Sequence, residues 1–347
     1  MIGTVGRVFL ILLGTSATTG AAQNPVVRPD SIKDPRALLF AVGPFYDFAD
    51  PALKPWHLTA SYQIYDPTGK PASEGTYEYW WFSPNVYRSM WSRGGSSHSE
   101  WHTADGRKFQ KDEGEALHLF EPDFPRQLLT PFPKEAEVDS KENHLERETI
   151  RAGKAKIPCV DIVANPTGKS PGSRYCFDPA NAILIAKTIH NEVGVTYGDF
   201  ARFQGLNLSR LFVERVDDRD LLTAKVSEVG GLDAADAVLT PPADAKPDDA
   251  GSPGIPAKVM QGQRIGGPVP EYPEKAKAAH LTGSVMIEAV IGKDGKIHDL
   301  QVVSSPGALL SESASKAVGR WEYKPYLMNG EAVEVRTTIF VNYAMSF

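Results

Sequence analysis

Tyr272-Pro273-Glu274-Lys275-Ala276 opens the stretch, Tyr272 to Val341, whose reading decides the fold. Pro273 fits the first position of a helix, where its missing N–H costs nothing. Gly283 is expected to end that short helix. Ser284–Ile291 then alternates, with Val285, Ile287, Ala289 and Ile291 on one face and Met286, Glu288 and Val290 on the other. Gly292-Lys293-Asp294-Gly295 supplies the positive-φ positions of a tight hairpin. A second strand follows, from Ile297 to Val303. Ser304-Ser305-Pro306-Gly307 breaks it and can cap a helix carrying Leu310, Ala314, Ala317, Val318 and Trp321 at helical spacing. Asn329-Gly330 marks another turn, and Ala332–Val341 reads as a last strand. In the order helix, strand, strand, helix, strand, the apolar helix must cover one face of a small antiparallel sheet, because neither buries its stripe alone.

The residues of this stretch also carry a likeness. Tyr272-Pro273 with Ala276, Leu281-x-Gly283-x-Val285, Asp294-Gly295, Val302-x-Ser304, Trp321-x-Tyr323-x-Pro325 and Asn329-Gly330 follow one another as in TonB-family energy transducers. The segment 258–347 resembles the C-terminal domain of that family. The alternative is a generic α+β module whose core Trp321 and Tyr323 fill. The resemblance implies capture of a short extended segment of an outer-membrane TonB-dependent transporter, or of another envelope protein, on an edge strand. By position that strand is Val335, Arg336, Thr337, Thr338, Ile339, Phe340 and Val341. It also implies contacts from the segment ahead of the helix, here Val269, Pro270 and Glu271. Val269 stands where the family usually has a polar Gln.

The chain starts with Arg7 ahead of the apolar run Val8–Leu13, and Gly20-Ala21-Ala22 precedes Gln23. This is the pattern of a cleaved secretory signal over 1–22, and it implies a periplasmic location. The apolar run is far short of the roughly 20 residues that a membrane-spanning helix needs. An uncleaved inner-membrane anchor is the alternative reading. The 347 residues suit two domains after removal of a signal. A net charge of −6 argues against a nucleic-acid partner, which needs clustered Lys and Arg.

The two cysteines, Cys159 and Cys176, lie on neighbouring short strands, Lys156–Ala164 and Ser173–Phe177, with a turn-rich loop between them. In an exported chain such a pair invites a disulfide, worth about 3 kcal/mol by loop-closure entropy. A redox pair is the alternative, without the Cys-x-x-Cys spacing that favours it.

The middle region, 34–230, reads as mostly strands: Trp56–Tyr65, Gly75–Phe82, Val86–Trp91, Ser97–Thr103, Arg107–Lys111, Glu146–Arg151, the two cysteine strands, Ala182–His190, Thr196–Phe203, Leu208–Val216 and Leu221–Val229. The regular spacing predicts one curled antiparallel sheet. Lys134–Leu145 is expected as a short helix interrupting it. The fold class is therefore mainly β, with a small α+β module at the end.

This strand order, the aromatic strand Thr76–Phe82 and Tyr197-x-Asp199-Phe200 resemble the LolA-like half-barrels of the periplasm. The resemblance implies a concave face that holds lipid acyl chains. Tyr77, Tyr79, Trp81, Tyr87 and Trp91 are then its candidate lining. The alternative is that they pack an ordinary core, as bulky aromatics usually do. Residues 239–257, rich in Pro, Ala and Asp, read as a semi-stiff linker of at most about 55–60 Å.

No Gly-x-Ser-x-Gly and no phosphate loop occurs, so no enzyme chemistry and no cofactor is assigned. His98-x-Glu100-x-His102 places three potential ligands on one strand face. Its two histidines lie about 13 Å apart, too far for one metal. A solvated polar face is the simpler reading, and no metal site is assigned. What remains is a binding protein: a TonB-like adaptor, with energy-coupled transport as part of that reading and a periplasmic lipid or lipoprotein carrier as the alternative.

Overall fold

The computed structural model describes residues 27–138, 143–164, 172–189, 192–232, 237–247 and 257–345. The expected signal segment lies outside them. The first part of the chain gives α1 (Pro35–Val42), β1 (Trp56–Tyr65), β2 (Pro71–Ser83), β3 (Val86–Arg93), β4 (Ser96–His102), β5 (Lys108–Glu113), α2 (Asp123–Leu129) and α3 (Glu135–Val138). Then come β6 (Asn143–Ala152), β7 (Ala155–Ala164), β8 (Ser173–Phe177), β9 (Leu184–Ile189), β10 (Val193–Phe203), β11 (Leu206–Val216), β12 (Arg219–Gly231) and β13 (Lys246–Pro247). The terminal part holds α4 (Ala257–Gln261), β14 (Arg264–Gly266), α5 (Glu274–Ala278), β15 (Gly283–Ile291), β16 (Ile297–Ser304), α6 (Ala308–Val318), β17 (Glu322–Tyr323), β18 (Tyr326–Met328), β19 (Glu331–Val333) and β20 (Val335–Tyr343).

These elements pack as two compact units. One takes the described chain up to Ala49 together with Arg126–Asp218, and the other takes Asp50–Pro125 with everything from Arg219 onward. In the first unit six strands run antiparallel in the order β11-β10-β9-β8-β7-β6. Asp34 caps α1 by accepting from Ala37 N at 2.6 Å. Leu38, Leu39 and Val42 of that helix are buried, and it packs on β6 and β7. Cys159 stands opposite Cys176 across β7 and β8, and the two are joined by a disulfide. Asp161, buried beside them, takes both Nε and Nη2 of Arg174 at 2.7 and 2.6 Å. This is the bidentate geometry that answers a buried carboxylate.

In the second unit the strand order is β13-β5-β4-β3-β2-β1-β12. Gly75 is needed in β2, because a Cβ there would sit 2.5 Å from the Tyr62 ring and 2.6 Å from Ser92 O. The terminal module has the expected order, with β16-β15-β20 forming a three-stranded sheet. Val285, Ile287, Ala289 and Ile291 pack with Leu310, Ala314 and Val318 of α6 and with Val335, Ile339 and Val341 of β20.

Several local expectations need correction. Pro273 is the N-cap of α5, with extended backbone, and not its first helical residue. Gly283 does not end that helix. His280, at φ 51°, turns the chain there, and Gly283 already belongs to β15. Lys134–Leu145 is not one helix, since α3 is four residues long and Asn143–Leu145 pair in β6. The last strand breaks at Glu334 into β19 and β20. α1 and α2 fell inside a region read as strand and proline-rich loop. Prolines in their first turns, tolerated because those N–H groups have no helical partner, masked them. Within the expected linker, Lys246 and Pro247 pair with Gln110 and Phe109 of β5, and Asp244 meets Lys111 at 3.0 Å.

Two turn glycines make a contrast. Gly295 (φ 77°) has Tyr323 O directly where a Cβ would point, whereas Gly330 (φ 86°) has nothing within 4 Å. Gly330→Ala should cost only the left-handed penalty of about 1–2 kcal/mol. Gly295→Ala must also displace backbone. Thermal unfolding should show a clearly larger drop in midpoint for Gly295→Ala.

Candidate functional site

The aromatic stripe and the His-Glu-His row, unrelated in sequence, share one face of the second unit. Strand pairing sets Tyr77 opposite Trp91, Tyr79 opposite Ser89 and Trp81 opposite Tyr87. The next register sets Trp91 against His98, Ser89 against Glu100 and Tyr87 against His102. The face thus grades from aromatic to polar across β2, β3 and β4. Tyr77, Trp81 and Trp91 are buried, while Tyr79 and Tyr87 are half-buried. Phe124, fully buried, lies over the stripe, 5.0 Å from the Tyr77 ring and 5.9 Å from that of Tyr62. Burial raises the Tyr77 and Tyr79 hydroxyls far above the ordinary phenol range.

At the polar end His98 is held on both sides, its Nδ1 by Asp112 and its Nε2 by Glu100 at 3.1 Å. Burial by itself lowers the His98 pKa, but the two carboxylates outweigh it and the net shift is upward. His102 behaves oppositely. Burial, then the Lys108 charge, lowers it to about 4, so its neutral Nε2 accepts from the Tyr87 hydroxyl at 2.9 Å. Tyr87 is itself pushed up to about 12 by burial and by Glu100, which keeps it a donor. Among the described residues no three His, Cys, Asp or Glu side chains are grouped to hold a metal ion.

In the terminal module β20 pairs with β15 alone, from Val335 opposite Ile291 to Tyr343 opposite Gly283. Val335, Thr337, Ile339 and Val341 are buried toward α6, and Arg336, Thr338 and Phe340 are half-buried on the other face. α4 packs against β20 and sends Met260 into the core. The segment ahead of α5 is pinned: Trp321 Nε1 donates to Pro268 O at 2.8 Å, and Ser313 Oγ donates to Glu271 O. Val269 stays 80% exposed between those two anchors, so its apolar side chain is presented to solvent rather than to the core.

Sequence reasoning passed over a set of polar residues here. Glu288, on the outward face of β15, is buried and accepts from Leu119 N at 2.6 Å, with His118 Nδ1 at 3.2 Å from its other oxygen. Arg336 donates to Leu117 O at 2.9 Å. Arg219 donates to Ser304 Oγ and to Ser284 O, and Ser305 N donates to Pro67 O. These bonds seat the module on the segments around β1, β2, β5 and β12. One acid in the otherwise apolar strand Val285–Ile291 was the available signal.

Residues 268–345 match the family described as Gram-negative bacterial TonB protein C-terminal. The terminal module is TonB-like. Over 70 residues the chain is 31% identical to Protein TonB of Pseudomonas aeruginosa, covering 20% of each chain. Over 57 residues it is 30% identical to Protein TonB of Escherichia coli K12, covering 16% of this chain and 24% of that one. The chain thus spans only about a fifth to a quarter of these relatives' length. A LolA superfamily protein from Nitrosomonas europaea is similar over 58% of this chain and 97% of its own, at 7% identity and a TM-score of 0.37. Among the described residues no helix is long and apolar enough to cross a membrane.

The two histidines titrate in opposite senses. His98 lies above its unfolded value, so its contribution to stability is complete below about pH 6.5 and is lost as the pH rises through its raised pKa. His102 lies below, so its contribution is complete above about pH 6.5 and is lost as the pH falls toward about 4. Unfolding midpoints measured across pH should therefore fall less steeply on the acid side for His102→Gln, and less steeply on the alkaline side for His98→Gln, than for wild type.

Proposed function

We propose that this chain is a periplasmic TonB-like binding protein that captures an extended segment of an outer-membrane transporter, or of another envelope protein, on β20. The observation that carries the reading is the position of β20 at the end of the β16-β15-β20 sheet, with no further strand beside it among the described residues. A sheet edge binds an extended chain through main-chain hydrogen bonds, and alternate side chains set the register. Val335 to Val341 is the length of strand offered, and Val269, Pro270 and Glu271 form a second contact on this reading. Exposed Val269 favours an apolar neighbour in the partner. The location rests on the TonB-like match, and coupling to an energised inner membrane is part of the same proposal. The function is binding; no residue is assigned a catalytic role.

A carrier of lipid acyl chains is the second reading. What favours it is the continuous aromatic face of Tyr77, Tyr79, Trp81, Tyr87 and Trp91, with Phe124 packed against Tyr77 at one end.

Proline tests the capture reading, because it cannot donate to a ladder. Consecutive residues turn their N–H groups to opposite edges, so of Thr337 and Thr338 one donates toward β15 and the other toward the open side. One of Thr337→Pro and Thr338→Pro should abolish binding of an extended partner peptide with little change in the unfolding midpoint. The other should break a ladder bond and destabilise the module by about 1–3 kcal/mol. Peptide titration and thermal unfolding of both variants check this. Two folded variants that both bind normally exclude edge capture.

A further inference from the structure

In the patch bounded by Tyr77, Trp81, His98 and His102, Ser89 is the one small residue. Tyr79 and Glu100 stand opposite it on β2 and β4. Trp91 and Tyr87 lie on the same face of β3, one to either side of it. Strand spacing puts the backbones of Tyr79 and Glu100 roughly 10 Å apart, and those of Trp91 and Tyr87 roughly 13 Å apart. The rings do not close over the middle. Trp91 meets Tyr77 and His98, at 4.9 and 5.4 Å between ring centres, and Tyr87 meets Tyr79 and His102, at 5.7 and 4.0 Å. Among the described residues no ring contact joins Trp91 to Tyr87 or to Tyr79. The result is a recess with Ser89 as its floor, three aromatic walls and a carboxylate as the fourth. Ser89 is buried, whereas Tyr79, Tyr87, Glu100 and His102 are half-buried, so the recess lies at the surface end of the face.

The hydrogen bonds around the recess have a fixed sense. Ser89 Oγ donates to Glu100 Oε2 at 3.3 Å, and His98 Nε2 lies 3.1 Å from the other oxygen. Burial raises the Glu100 pKa, but His98 and Ser89 outweigh it and the carboxylate stays ionised. With Asp112 on the far side of His98, the trio keeps one net negative charge even when His98 is protonated. Lys108, whose charge bears on His102, is exposed and screened by solvent. Tyr87 gives its proton to neutral His102, so its oxygen turns lone pairs outward. The side toward Glu100 and Tyr87 therefore accepts. The opposite side donates. Trp91 Nε1 is buried without an acceptor. The Tyr77 and Tyr79 hydroxyls, raised first by burial, keep their protons and make no hydrogen bond among the described residues. Buried polar groups left in this state call for a partner.

We propose that the Ser89 recess binds a small organic ammonium that carries an oxygen, the amino-alcohol class, with the cation against Glu100 and the oxygen toward Trp91 Nε1. Ring faces attract a cation, and most strongly one that is already out of water. An alkylated ammonium is weakly hydrated, so aromatic walls favour it. A neutral apolar guest would strip water from Glu100 and give no charge in return. An anion would meet the same carboxylate as a repulsion. The proposal is separate from capture at β20. It shares Tyr79, Tyr87 and Trp91 with the acyl-chain reading, and the two differ in whether charge matters.

The test uses the full chain, with choline as the probe and neohexanol, in which a carbon replaces the ammonium nitrogen, as its uncharged counterpart. Calorimetric titration should show saturable binding of choline and binding of neohexanol about tenfold weaker. Glu100→Gln should weaken choline by about the same factor of ten. Ser89→Leu, which fills the recess, should bind none. Thermal unfolding shows whether each variant is folded, and the comparison of the two probes on the wild-type chain stands whatever the variants do. Dihexanoylphosphatidylcholine distinguishes the sources of the ammonium. Displacement of choline by it assigns the recess to a lipid headgroup, and no displacement assigns it to a free amino alcohol; either result supports the site. Absence of saturable choline binding overturns the proposal. Equal binding of choline and neohexanol, or unchanged choline affinity in folded Glu100→Gln, overturns it as well. That indifference to charge is what a site for acyl chains would give, so the carrier reading would survive it.

Discussion

A carboxylate without water must be answered by donors, and Glu121 is the clearest instance in this chain. Its side chain is fully buried and is met by a phenol, a guanidinium and a backbone N–H. Removing one side of such a buried pair typically costs about 3–5 kcal/mol, so the arrangement is fixed once it forms. The position of Glu121 fixes the turn before it, and the turn offers Leu117 O and Leu119 N to the terminal module. Glu288 repeats the principle at the other side, buried and met by the Leu119 backbone N–H and the His118 ring. The terminal module is thus seated by polar contacts, those of Glu288, Arg336 and Arg219 among them, while apolar burial decides its interior.

The apolar interior was the readable part. In β15 every second residue is apolar and each of those points to α6, because strand period and helix period leave one way to bury both stripes. The antiparallel strands of the middle region followed from turn spacing, and the disulfide from one cysteine on each of two neighbouring strands. The boundaries that failed did so for local reasons. His280 adopts the left-handed conformation that Gly283 was expected to supply, and first-turn prolines hid two helices.

The site was only half legible. That Tyr77, Tyr79 and Trp81 share a face follows from alternation, as does the shared face of His98, Glu100 and His102. That the two rows are parts of one surface depends on the register of β3 between them, which is set by the turns at either end. The turn Leu117–Glu121 left no pattern at all. Its partners, Glu288 and Arg336, lie some 170 to 220 positions away in sequence, and hydrogen bonds at that separation have no periodic signature.

The pairing of Lys246 and Pro247 with β5 has a further consequence. β5 would otherwise end its row of strands with a line of unsatisfied N–H and C=O groups, a template on which a second copy could add. The chain covers part of that line with its own segment, and the covering residue Pro247 has no N–H to pass the ladder on. A stretch whose composition suggests a mere spacer therefore also stops the sheet from growing, and keeps strand-by-strand self-association away from a surface where it would serve no purpose.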